Sequence, residues 1–144
     1  MMLIDANLLL YAYDSSSQHH IKARQWLERT LSEYLPVRLA WITILAFLRI
    51  STNRKIFENP FSISEATSIV KEWLEHPMVD VLNPTERHWL ILSKLLGNGQ
   101  ASGPLVMDAH LAALAIEHGA RLCTTDKDFS RFDDLQVFNP LLEK

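Results

Sequence analysis

The chain has 144 residues, of which 48% are hydrophobic and 22% charged, a composition that suits one globular domain with a real core. Its formal net charge of −3 argues against a broad basic surface for nucleic acid, unless several acids are gathered in one pocket and neutralised there. A single cysteine, Cys123, excludes an internal disulfide and fits a reducing, cytoplasmic setting; no apolar run long enough to cross a membrane and no basic-then-apolar leader are visible.

In chain order, Leu3-Ile4 predicts a short buried strand that ends at Asp5, with a helix opening at Asn7 and running to Tyr13. DSSSQHH (14–20) reads as a loop with good capping residues. His19 and His20 are read as the start of the next helix and not as a proton shuttle. That helix spans about Gln18 to Tyr34, with Ile21, Ala23, Trp26, Leu27 and Leu31 at helical spacing, and Pro36 stops it. VRLA (37–40) predicts a second strand. ITILAFLRIS (42–51) predicts a buried helix capped by Thr43, and the following NRKIFENPFS a loop. Ser62 with Glu65 is a capping box for a helix to about Leu74.

VDVL (79–82) predicts a third strand, and Pro84 or Thr85 the start of a helix to about Leu96. Pro104 to His118 is the clearest helix: Leu111, Ala112, Leu114 and Ala115 form its apolar body and Gly119 its C-terminal cap. RLCTT (121–125) predicts a strand ending at Asp126, and Gln136-Val137-Phe138 a last short one. Strands alternating with helices of this length predict an α/β fold, with a parallel sheet covered on both faces.

Three acids stand out by position. Asp5 and Asp126 each follow a predicted buried strand, and Asp108 shares a helix face with Leu111, Ala112 and Ala115. Ligands of open parallel sheets bind outside the carboxyl ends of the strands. Each acid alone has an ordinary explanation as a turn or cap residue. Together they would repel one another unless a cation held them. Oxygen-only ligands favour Mg²⁺ or Mn²⁺ over zinc, and the chemistry such an ion serves is phosphodiester hydrolysis. His110 lies about 200° around the helix from Asp108 and is placed outside the site. Arg49 is a candidate phosphate contact; Arg54 and Lys55 read as a solvated helix end. Trp26, Trp41, Trp73 and Trp89 read as core or dimer-face residues, and Cys123 as a buried, inert thiol.

LIDANLLLYA, HHIKARQWL, FLRISTNRKIFENP, VMDAHLAALAIEHGA, CTTDKDFSRF and a closing NPL resemble, in order and over nearly the whole chain, the PIN-domain toxins of VapBC toxin–antitoxin systems, in their mycobacterial branch. The resemblance implies a single domain over 1–144, a three-layer α/β/α sandwich with a mainly parallel central sheet. It implies a Mg²⁺- or Mn²⁺-dependent endoribonuclease that inhibits translation by cutting RNA, a homodimer, and silencing by a VapB-like antitoxin. Asp5, Asp108 and Asp126 match the acidic motif positions and so the metal and catalytic roles. Asp128 matches a further acid near the site, and Asn7 and Thr125 match supporting polar neighbours. Ala46 departs from the pattern, standing where many PIN domains carry glutamate. That departure keeps open a second reading, a PIN-fold module impaired in catalysis that only binds RNA or a protein. A phosphoryl-accepting receiver domain fits less well, because Asp5 stands alone after its strand and one acid comes from a helix.

Overall fold

The computed structural model describes residues 1–142; Glu143 and Lys144, the end of the expected 1–144 domain, lie outside the described residues. Five short strands, β1 (Met2–Ile4), β2 (Val37–Leu39), β3 (Val79–Val81), β4 (Arg121–Cys123) and β5 (Val137–Phe138), form one sheet in the order β3-β2-β1-β4-β5. Every pairing is parallel, and Met2 lies opposite both Val37 and Arg121. The connections are helical: α1 (Ala6–Tyr13), α2 (His20–Ser32), α3 (Trp41–Ser51), α4 (Ile63–Glu75), α5 (His88–Asn98) and α6 (Leu105–His118).

Side-chain alternation along the strands sorts residues between two cores. Leu3 and Leu122 join one face, Ile4 and Cys123 the other. On the Ile4 side, α1 to α4 contribute Leu9, Leu27, Phe47 and Trp73. Trp73 packs edge-on to Phe47, with ring centroids 4.7 Å apart, and its indole N–H donates to the Tyr13 hydroxyl at 3.1 Å. On the Leu3 side, α6 lays Ala109, Ala112, Ala113 and Ala115 against the sheet with α5 beside it. Small residues let that helix approach closely, so its position is set by backbone fit more than by bulky side chains. The result is a helix–sheet–helix sandwich. No helix among the described residues is long and apolar enough to cross a membrane.

The capping box at Ser62 and Glu65 forms as expected, and Gly119 ends α6 in the left-handed region at φ 68°. Two helix starts differ from the sequence expectation. Ala40, without a side-chain cap, precedes α3, and Thr43 is buried inside the first turn. Its hydroxyl therefore does not cap the helix, because the chain turns directly from β2 into α3. The helix expected from Pro84 or Thr85 begins at His88. The Thr85 backbone N–H instead donates to the Glu117 carboxylate at 2.8 Å, and the Arg87 guanidinium donates to the Glu117 carbonyl at 2.8 Å. Tertiary bonds from α6 hold residues 85–87 in a turn. Of the tryptophans, Trp26 and Trp73 are core, whereas Trp41 and Trp89 are exposed.

Candidate metal centre

The sheet order places the site. From β1 the chain steps outward to β2 and β3, then crosses to β4 and β5 on the other side of β1. The carboxyl ends of β1 and β4 therefore flank the point where successive connections diverge, the crevice that open α/β sheets use for ligands. Asp5 follows β1 and Asp126 lies just beyond β4. The Asp5 backbone N–H extends the β1–β4 pairing by donating to the Cys123 carbonyl at 2.9 Å.

Each acid is anchored by the turn that carries it. Asp5 caps α1, its Oδ1 accepting the Ala6 N–H at 2.8 Å. Asp126 caps a 3-10 turn over Lys127–Arg131, its Oδ1 accepting the Asp128 N–H at 2.9 Å. Asp108 stands in the first turn of α6. Two helix N-termini thus carry carboxylates, and their partial positive charge favours the anions.

Thr124 links these elements. Its hydroxyl, 1% exposed, donates to Asp5 Oδ2 at 2.7 Å. Thr124 Oγ1 also accepts the Asp126 N–H at 3.0 Å and the Asn7 side-chain amide at 3.3 Å. Asn7 thus reaches Asp5 only through Thr124. The other supporting role was expected of Thr125 and belongs to Thr124: no hydrogen bond among the described residues involves the Thr125 side chain. The Asn7 side-chain oxygen Oδ1 is buried with no hydrogen-bond partner among the described residues.

Ligand atoms of Asp108, Asp126 and Asp128 lie within 4.8 Å of one another. Of the expected trio, the structure brings Asp108 and Asp126 to this spacing. Asp128, expected only in support, is the third member. Asp5 belongs to no such set of three among the described residues; both its oxygens already accept hydrogen bonds. It shares instead with Asp108 a cavity of about 200 Å³, also lined by Ala6, Ile42, Thr43, Ala46, Arg49, Met107 and Leu111. Asp108 is common to both groups.

The field of these acids is visible in their protonation. Burial, then the charges of Asp126, Asp5 and Asp128, push the Asp108 carboxyl up to about 6, against a small opposing effect of Arg131. Burial also raises Asp5, partly offset by its bonds to Thr124 and Ala6, while the Asp126 charge adds to the rise. Several unneutralised carboxylates facing one space, with oxygen donors alone, fit a hard divalent cation.

Ala46 sits on the cavity wall beside Asp5 and Asp108, so the expected glutamate position does face the site and presents a methyl group there. Arg49 lines the same cavity. Arg131 was not singled out from sequence. It donates to the Asp128 carbonyl at 3.3 Å and the Gly99 carbonyl at 3.1 Å, and its place three residues after Asp128, within one short turn, was the available signal. His110 bonds to His88 of α5 at 2.9 Å, away from the acids as expected.

Comparison with known proteins bears on the family and the fold. The PIN-domain family model matches residues 2–135. Ribonuclease VapC37 of Mycobacterium tuberculosis is 41% identical over 140 residues, covering 97% of each chain. Ribonuclease VapC31 of the same species is 37% identical over 142 residues, covering 99% of this chain and 100% of the relative. Among solved structures, VapBC2 from Rickettsia felis bound to a promoter DNA fragment superposes with a TM-score of 0.68 at 17% identity, over 96% of this chain and 97% of the other.

Proposed function

We propose, for a chain that belongs to the PIN-domain family and to its VapC ribonuclease branch, that it is a divalent-metal-dependent endoribonuclease toxin acting as one folding unit over residues 1–144. Mg²⁺ or Mn²⁺ would be held by Asp108, Asp126 and Asp128, with Asp5 completing the acidic wall from the cavity side. The single observation that carries the reading is the set of carboxylates at ligand spacing on the crevice between β1 and β4.

When bound, the ion supplies Lewis acidity: it neutralises the cluster, makes a water molecule more acidic and stabilises an oxygen leaving phosphorus. The chain's own residues do the rest. Asp5, Asp108 and Asp126 are the catalytic acids, and Asp108 enters the charged state needed for ligation as pH rises through about 6. Thr124 fixes the Asp5 carboxylate and, through the Asp126 N–H, the turn carrying Asp126 and Asp128. Arg49 receives an RNA phosphate from the cavity wall. Water adds to phosphorus and gives up a proton to solvent, the P–O3′ bond breaks and the departing 3′ oxygen takes a proton from solvent, so the products carry a 5′-phosphate and a 3′-hydroxyl. No side-chain nucleophile is required.

An acidic cavity also attracts a basic segment. A VapB-like antitoxin would silence the enzyme by placing a guanidinium against the carboxylates, and the active toxin would be a homodimer in the cytoplasm. A structure of the complex with open carboxylates and no basic side chain beside them contradicts this part of the proposal.

Incubation of short RNAs with Mn²⁺ and either the unaltered protein or Asp126→Asn tests the reading. Cleavage by the first and not the second is expected. The methyl of Ala46 at the expected glutamate position favours the second reading, a module that binds without cutting; absence of cleavage across diverse substrates by the unaltered protein would select it.

A further inference from the structure

Beside the acidic cavity lies a second space of about 390 Å³, lined by Ile42, Leu45, Ala46, Arg49 and Met107. Ile42, Ala46, Arg49 and Met107 line both spaces, so the two form one continuous groove. Ile42, Leu45, Ala46 and Arg49 recur at helical spacing along one face of α3, and Met107 faces them from the first turn of α6. Leu45 is 58% exposed and Met107 52%, so nothing among the described residues covers the pocket. Its volume falls within the range of about 300–1,000 Å³ typical of small-ligand sites.

We propose that this pocket holds one extruded nucleobase of a single-stranded RNA, next to the phosphodiester bound at the acids; the inference rests on the ribonuclease reading above. The lining is three aliphatic side chains, a thioether and one guanidinium, with no acid. That chemistry suits a flat, uncharged ring: aliphatic carbons and the Met107 sulfur take the ring face, while Arg49, which borders both spaces, stays on the phosphate. A phosphate would be drawn to the acids' cation and to Arg49, not to Leu45. The continuity of the groove places base and phosphate in adjoining spaces, as the short link between them in one nucleotide requires. Sequence-selective proteins read single-stranded RNA through unstacked bases of this kind.

The pocket also accounts for Ala46. A longer side chain there would project into the space shared by both cavities. The methyl group keeps the groove open, so Ala46 serves substrate selection, with the metal left to the aspartates.

The test places the fluorescent base 2-aminopurine at each successive position of a short single-stranded RNA bound, with Mn²⁺ present, to Asp5→Asn protein, which the hydrolysis reading expects to be inert while Asp108, Asp126 and Asp128 stay intact. The lining contains no aromatic quencher, so fluorescence should rise severalfold at one position only as that base leaves the stack. Leu45→Asp, a change at an exposed residue outside the acidic cavity, should abolish the rise. No binding, a uniform response at every position, or a rise untouched by Leu45→Asp overturns the inference. So does displacement by a basic peptide of an RNA that shows no position-specific response, which would assign the groove to a protein partner. Cleavage of the unlabelled RNA by the unaltered protein with Mn²⁺ is scored separately. A localised rise without cleavage keeps the pocket and rejects hydrolysis.

Discussion

Two carboxylates on α6 meet opposite fates. Glu117, near the C-terminal end, has a fully buried side chain, yet both oxygens are satisfied within the fold. Oε1 accepts the Thr85 N–H at 2.8 Å, and Oε2 accepts from His88 Nδ1 at 2.7 Å. With that proton assigned to Nδ1, His88 Nε2 accepts from His110 Nδ1 at 2.9 Å; burial above all lowers the His110 pKa and favours its neutral ring. Asp108, near the N-terminal end, makes no side-chain hydrogen bond among the described residues and is surrounded by further acids. One end of the helix spends its charge on holding α5 in place; the other leaves its charge unspent. A buried acid with both oxygens hydrogen-bonded and no other acid raising its pKa belongs to the scaffold, whereas acids that raise one another's pKa ask for a cation.

This contrast predicts opposite responses to substitution. Asp108→Asn should lower RNA cleavage by at least about 100-fold, while the metal-free protein melts no lower, because a repulsive charge has gone. Glu117→Ala should do the reverse. It strands the Thr85 N–H and the His88 ring, costing about 2–4 kcal/mol in denaturant unfolding, with cleavage per folded molecule unchanged. Loss of cleavage in folded Glu117→Ala protein would erase the distinction.

Thr124→Val sharpens the comparison from the side of the site. Removing the hydroxyl frees Asp5 Oδ2 and leaves the Asp126 N–H unpaired, so divalent-ion affinity should fall about 10- to 100-fold, the usual scale for a residue that orients ligands. Thr125→Val, one position on, should change it little. Parallel titrations of both variants decide between the two threonines.

The smallest effect is in the pH dependence of stability. The folded pKa of Asp108, about 6, lies above the ordinary carboxylate value. The folded state therefore holds the proton where the unfolded state has released it, and metal-free stability should rise as pH falls from 7 toward 5. A saturating divalent ion holds Asp108 ionised and should remove that contribution. An unchanged slope with and without the ion would mean that Asp108 is not a ligand.

The alternation of short apolar runs with amphipathic helices made the parallel sandwich legible, because side-chain period is a local property. Strand order was not, since nothing local to β1 says that β4 lies beside it. Asp5 and Asp126 could be read because a carboxylate after a buried strand marks the sheet's carboxyl edge. The exchange of Thr124 for Thr125 has a simple cause: consecutive residues point to opposite sides, and which hydroxyl faces the acids depends on where β4 ends. The approach of Asp128 to Asp108 has no local mark in the sequence, because it follows from the 3-10 turn after Asp126. Glu117 gave no local sign, since its partners come from a segment about thirty residues away that its own bonds pull out of the helix.

The central claim is that Asp108 and Asp126 converge on one shared divalent ion. Calorimetric titration of Mn²⁺ into the unaltered protein, Asp108→Asn, Asp126→Asn and Glu117→Gln tests it most directly. Saturable binding to the unaltered and Glu117→Gln proteins, lost in both aspartate variants, is the predicted result. Identical isotherms for all four proteins would contradict it.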